Sequence, residues 1–308
     1  MVAPGELVVS CRRLRLPRRS GFLWFAFLAL ALVPPVAAQE IPQHAQGLSE
    51  RLVTVALPGG AVQQGVLSTK IGAPAPTQLV ALFPGVPSVV RPVVEGEVMV
   101  RSSLTGNFLI RARRHLAGGA VATLIVDCRS DQGAECSAAY QASKQRYLDV
   151  AQLIEAARHQ MPSVISVWLV GTSLGTVSSA FVPLHAPPGV FAGTIHTATI
   201  TNPNRPPPFV RVEPLIGFDY RRIGIPQAVI HHINDPCPAT PFAMAQRIAE
   251  ASGVPLVAIA GAGQRRGDPC EAQSEHGFIG VERSVMQEIQ KMVTGGVGVS
   301  RRLEFKPD

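Results

Sequence analysis

The sequence predicts an α/β protein with a mainly parallel central sheet and helices on both faces. Three observations predict it. Strand-like and helix-like segments alternate from residue 78 to residue 293, which is the pattern of βαβ units. Ala120–Val126 and Val164–Val170 are apolar runs broken only by Thr123 and Ser166, as strands covered on both faces require. Ser143–His159 repeats Tyr147, Val150, Ala151, Ile154 and Ala157 at helical spacing, with charge on the opposite face.

The elements follow in order. Glu50–Leu57 and Gln63–Ser68 flank Pro58-Gly59-Gly60 and form a first hairpin. Gln78–Phe83 is a third strand, Asn107–Leu116 a helix, and Ala120–Val126 a strand ending in the polar loop Asp127–Gly133. After the helix Ser143–His159 comes the strand Val164–Val170, then a helix Leu174–Leu184 and a strand Phe191–Ile200. Asn202–Pro208 is a proline-rich loop. Gln227–Ile233 is a strand, Pro241–Ala251 a helix, Val254–Ala260 a last central strand and Val281–Val293 a closing helix.

Residues 1–38 have the pattern of a secretory signal peptide. Arg12, Arg13, Arg15, Arg18 and Arg19 form a basic region, Gly21–Val33 is apolar, and Val36-Ala37-Ala38 offers small residues for cleavage before Gln39. An uncleaved anchor is the rival reading, but Pro34 and Pro35 end an apolar run that is short for a membrane span. The expected product is exported, periplasmic or extracellular, with no stable membrane insertion after cleavage. The leader holds five of the 28 basic and one of the 21 acidic residues, which leaves 23 against 20, a net charge of +3. With no basic stripe, nucleic acid is not an expected partner. Residues 39–308 suit one α/β domain.

Val170 runs into Gly171-Thr172-Ser173-Leu174-Gly175. A Gly-x-Ser-x-Gly turn between strand and helix lifts the serine above the sheet and clears its surroundings. Gly171 and Gly175 allow the sharp backbone and the close approach of the following helix. Such a turn makes Ser173 a candidate nucleophile. Ligands of parallel sheets bind beyond the C-terminal ends of the strands, where this residue falls.

From about Glu50 to Val293 the chain resembles the α/β-hydrolases. The motifs that carry the resemblance are Gly171-Thr-Ser-Leu-Gly175, Ile233-Asn-Asp-Pro-Cys237 and Ser274-Glu-His-Gly-Phe278. The family order of nucleophile, acid and histidine then implies Ser173, Asp235 and His276. His276 would take the serine proton and Asp235 would hold the imidazole in the required tautomer. Asp127, Asp131 and Asp268 are rivals for the acid. Asp127 resembles a structural acid that many relatives carry, paired with an arginine such as Arg129. The oxyanion donors implied are the Leu174 N–H and, from the loop Phe83-Pro84-Gly85-Val86, Val86 or Gly85, because Pro84 has no N–H. The short stretch between Ile200 and Gln227 leaves no room for a large cap domain, and Pro206–Phe209 with Phe218-Asp219-Tyr220 either wall an open cleft or pack as an ordinary loop.

Four cysteines follow the leader, and an even count in an exported chain favours disulfides, with three connectivities open. The preferred pairs are Cys128–Cys136, closing a short polar loop, and Cys237–Cys270, bracing the loops of acid and base. His231-His232 does not suggest a metal site, since adjacent strand residues point to opposite faces. Gly261–Gly267 has the wrong spacing for a dinucleotide loop. The expected activity is hydrolysis of a small-molecule or polymer carboxylic ester through an acyl-serine, with no cofactor or metal. Amide hydrolysis, acyl transfer and a silent ligand-binding homologue are the alternatives.

Overall fold

Alternation of side chains along each strand decides how this chain folds. In β3 (Gln78–Phe83), Leu79, Ala81 and Phe83 enter one core while Val80 and Leu82 enter another. Both sets are buried, so the strand must be covered on both faces. The computed structural model describes residues 40–201, 215 and 217–308, and Glu40–Asp308 clusters as one compact unit. The leader, the loop Asn202–Pro208 and the expected wall Pro206–Phe209 lie outside the described residues.

The chain opens with β1 (Leu48–Ala56) and β2 (Val62–Lys70), antiparallel from Leu48 opposite Lys70 to Ala56 opposite Val62. After β3 comes a small separate hairpin, β4 (Val93–Glu95) with β5 (Val98–Arg101), which the sequence reading did not include. Then follow α1 (Phe108–Arg111), β6 (Val121–Val126), α2 (Ala138–Gln141) and α3 (Lys144–Gln160). The central part is β7 (Ser166–Thr172), α4 (Thr176–His185) and β8 (Gly193–Thr197). The last part is β9 (Gln227–His232), α5 (Phe242–Ser252), β10 (Leu256–Ala260), α6 (Glu282–Gly295) and β11 (Arg301–Glu304).

Nine strands form one sheet in the order β1-β2-β6-β3-β7-β8-β9-β10-β11. β2 pairs antiparallel with β6, and every pairing from β6 to β11 is parallel. On one face α3 buries Val150, Leu153, Ile154 and Ala157 against β3, β6 and β7. On the other, α6 buries Val285, Met286, Ile289 and Met292 with Phe108 and Leu109 of α1. Each such aliphatic side chain contributes about 1.5–3 kcal/mol by leaving water. α3 starts at its Ser143 cap, whose hydroxyl accepts the Arg146 N–H at 3.2 Å.

Two expectations change. The helix at 107–116 is a single α-turn, α1, followed by a 3-10 turn at Arg113–His115. β8 is shorter than Phe191–Ile200, because Ala198 sits at φ +44° and ends the extended run. Beyond β10 the edge strand β11 is added, which the sequence reading did not include.

Candidate active site

β7 stands at the centre of the sheet, between β3 and β8, and its last residue, Thr172, leads straight into Ser173. Ser173 is held at φ +52°, in the left-handed region, and the chain reverses at once into a 3-10 turn and α4. The two flanking glycines are required by contact. A Cβ on Gly171 would lie 2.5 Å from the Gly175 carbonyl oxygen and from Ser179 Oγ. A Cβ on Gly175 would lie 2.0 Å from the Phe83 carbonyl oxygen. The turn therefore packs backbone on backbone against β3, and Ser173 is left half-buried at the C-terminal edge of the sheet.

Asp235 follows β9 and His276 follows β10, whose C-termini point the same way as that of β7. The parallel sheet thus gathers three loops that are far apart in sequence. His276 Nδ1 lies 3.0 Å from Asp235 Oδ2, and both side chains are nearly or fully buried. Thr240 Oγ1 donates to the same oxygen at 2.8 Å, and the Cys237 N–H donates to Asp235 Oδ1 at 2.9 Å. His231 Nε2 is 3.3 Å from Asp235 Oδ2 and 2.8 Å from the Thr240 carbonyl oxygen. Burial alone would raise the Asp235 carboxyl's affinity for a proton. The neighbouring His276 and His231 outweigh it and hold the group well below the usual carboxylate range.

His231 and Thr240 are members of this cluster that the sequence reading did not assign. The signal was present in part, since the two histidines of β9 alternate faces: His231 turns to Asp235, whereas His232 turns to the Gly261 carbonyl at 2.7 Å. Thr240 carried no signal, because only the folding back of residues 235–240 brings its hydroxyl to the carboxylate.

Ser173 and His276 line one cavity of about 530 Å³, together with Gly85, Val86, Asn107 and Phe108. Leu174 is buried at the first turn beyond the serine, where helix N–H groups lack intrahelical acceptors. Gly85 is pressed against the elbow, with its Cβ position 3.0 Å from Ser173 Cβ. The Gly85 carbonyl accepts from the Ser88 N–H at 2.6 Å. Val86 is 42% exposed at the cavity rim, and Pro87 follows it through a cis peptide bond.

Among the described residues none of the rival acids pairs with His276, which meets Asp235. Asp131 pairs with Arg129 at 2.6 Å, and Asp268 lies in the exposed wall of the cavity. The expected pairing of Asp127 with Arg129 is corrected. Asp127 instead accepts the N–H groups of Val90, Arg91 and Cys128, at 2.6, 2.9 and 2.7 Å, and so anchors the loop after β3. Arg129 turns to Asp131 and Asp149 because their carboxylates are nearer solvent or on α3. Phe218, Asp219 and Tyr220 do not wall the Ser173 cavity. Phe218 stacks on Phe181 of α4 at 4.9 Å, and Tyr220 packs edge-on to His196, so their apolar area is used in the core.

The cysteines pair as Cys128–Cys136 and Cys237–Cys270, each with an S–S distance of 2.05 Å. The second bridge joins the loop of Asp235 to the loop that leads into His276. Among the described residues no helix is long and apolar enough to cross a membrane.

No family model and no curated protein sequence matches this chain. Solved structures do. Est1E from Butyrivibrio proteoclasticus is 11% identical, with a TM-score of 0.52 over 81% of this chain and 99% of that one. A cold-adapted esterase from an Arctic intertidal metagenomic library, in its zinc-bound structure, is 11% identical, with a TM-score of 0.51 over 82% and 98%. An acylaminoacyl peptidase from Pyrococcus horikoshii is 11% identical, with a TM-score of 0.52 over 81% of this chain but only 42% of its own. With the mixed sheet and its two helical layers, these likenesses give the chain an α/β-hydrolase fold, and no large cap domain stands among the described residues.

Proposed function

We propose that this chain is a serine hydrolase that cleaves carboxylic esters through an acyl-Ser173 intermediate. The observation that carries the reading is the 3.0 Å approach of His276 Nδ1 to Asp235, with His276 and Ser173 on the walls of one cavity. With Nδ1 turned to the carboxylate, Nε2 is the ring nitrogen left to accept a proton. Ser173 Oγ attacks the ester carbonyl carbon, its proton passes to His276 Nε2, and the carbonyl electron pair moves onto oxygen. The pair returns, the bond to the alcohol breaks, and the alcohol leaves with the proton from His276. Water repeats the sequence on the acyl group and restores the free serine. Asp235, kept ionised, stabilises the charged imidazole in both halves. Ester, water and three side chains account for every atom, so no cofactor is called for.

One of the neighbours above is named an esterase, which supports an ester substrate, small or polymeric. Another is named a peptidase and favours amide cleavage as the second reading. A fluorophosphonate probe should label the folded protein, and Ser173→Ala should abolish both the label and turnover of p-nitrophenyl esters. No labelling, or equal labelling of Ser173→Ala, would sink the proposal and leave a ligand-binding homologue. Turnover of aryl amides at rates rivalling the matched esters would favour the peptidase reading.

The protein is also proposed to be exported, on the signal-peptide pattern of residues 1–38 and the two disulfides. The mature N-terminus, read from secreted or periplasmic material, should be Gln39. An intact Met1 on a membrane-bound product would favour the anchor instead.

A further inference from the structure

Asn107 lies on the cavity wall beside the elbow, and one end of its amide is already committed. Its Oδ1 accepts the Leu109 N–H at 3.1 Å and caps α1. That bond assigns the oxygen end, so the Nδ2 end faces away from the helix. The Cβ position of Gly85 is 3.0 Å from Ser173 Cβ and 3.4 Å from Asn107 Nδ2, so the serine and the amide flank one point. Asn107 and Ser173 line the same cavity. Among the described residues Nδ2 donates to no acceptor. A half-buried amide left with two free N–H groups beside a nucleophile is a donor awaiting an oxygen.

The backbone on that side is short of donors. Pro84 and Pro87 have no N–H, which leaves Gly85 and Val86 as the backbone donors of that turn. We propose that Asn107 Nδ2 supplies the second hydrogen bond to the oxyanion formed at Ser173, opposite the Leu174 N–H. The proposal rests on the serine-hydrolase reading above. Attack by Ser173 Oγ moves the carbonyl electron pair onto the oxygen, and the amide meets that charge without rearranging, because its other end is fixed by the helix.

The test separates the donor from the cap. Asp and Ser are both good N-caps, so Asn107→Asp and Asn107→Ser keep the acceptor for Leu109 and remove the amide N–H groups, the shorter Ser side chain no longer reaching where Nδ2 stood. Three quantities are measured on each: melting temperature, fluorophosphonate labelling rate, and kcat and KM for p-nitrophenyl butyrate. Asn107→Ser should melt near wild type, label about 100-fold more slowly, and lose kcat with KM little changed. Asn107→Asp should be slower still, since a carboxylate oxygen then faces the developing charge. Should the serine variant fail to fold, the aspartate variant carries the test as the better cap at a helix start. Wild-type labelling rates in well-folded variants would overturn the proposal, give the second bond to the Gly85 or Val86 N–H, and leave the hydrolase reading standing. A wild-type protein that does not label, or labels without Ser173, would overturn both.

Discussion

Ser173 at φ +52° shows what a single residue contributes, since a non-glycine side chain in that region costs about 1–2 kcal/mol. Contacts on either side hold it there: the Gly175 backbone against β3 and the Thr176 hydroxyl donating to the Ser173 carbonyl at 2.6 Å. Beneath the elbow lies His196, fully buried, with Nδ1 2.8 Å from Ser179 Oγ. Burial pushes His196 down to about 3, a drop that the neighbouring Gln227 side chain only partly offsets. The folded protein therefore keeps this ring neutral, whereas the unfolded chain protonates it near the ordinary value of about 6.5. Its contribution to stability is complete above that value and is lost as pH falls toward 3, by up to about 1.4 kcal/mol per unit. His44 and His232, also pushed down by burial, act with the same sign. Urea unfolding at pH 7, 6 and 5 should thus show a shallower loss in His196→Asn than in wild type. Equal slopes would assign the acid sensitivity to the other histidines.

At the scale of elements, the elbow was legible because its constraint is local. Two glycines two residues either side of a serine, following a strand and preceding a helix, have the spacing that a tight strand-to-helix turn requires. Gly175→Ala places a Cβ 2.0 Å from the Phe83 carbonyl oxygen, where backbone cannot give way. The variant should lose about 3 kcal/mol in chemical denaturation and separate β7 from β3 at the turn. A loss under about 1 kcal/mol would show that the turn relaxes freely. Other elements were not legible. β11 contains Arg301, Arg302 and Glu304, and only its parallel pairing with β10 makes it a strand. α1 fails to extend because Ala112, Arg113 and His115 tighten into a 3-10 turn that places Arg113 inside the fold.

Across the whole molecule, that Arg113 meets Glu50 of β1 at 2.7 Å, with both side chains fully buried. Glu50 also accepts from Ser68 of β2 at 2.6 Å and from the Met99 N–H of β5 at 2.8 Å. One carboxylate thus joins the first hairpin, the small hairpin and the turn after α1. Arg113→Met leaves that charge buried and unpaired, and should cost about 3–5 kcal/mol. Glu50→Leu combined with Arg113→Met should recover most of it, as measured by denaturation midpoints. A double variant no better than the single one would show that the carboxylate's other hydrogen bonds carry the stability.

What the sequence determined by itself is whatever has a short period or a local steric cause. Strand and helix alternation, the two-sided burial of the central strands, the glycine-flanked Ser173 and the short segment before β9 are all of that kind. The tertiary structure decided what depends on groups distant along the chain. It turned Asp127 from Arg129 to three backbone N–H groups, and packed Phe218 and Tyr220 into the core rather than around the cavity. It also brought His231 and Thr240 to Asp235 and set Asn107 and Ser173 on the wall of one cavity. The physical reason is that a hydrogen-bond partner is set by position and orientation in space, which residue type and spacing along one strand do not encode.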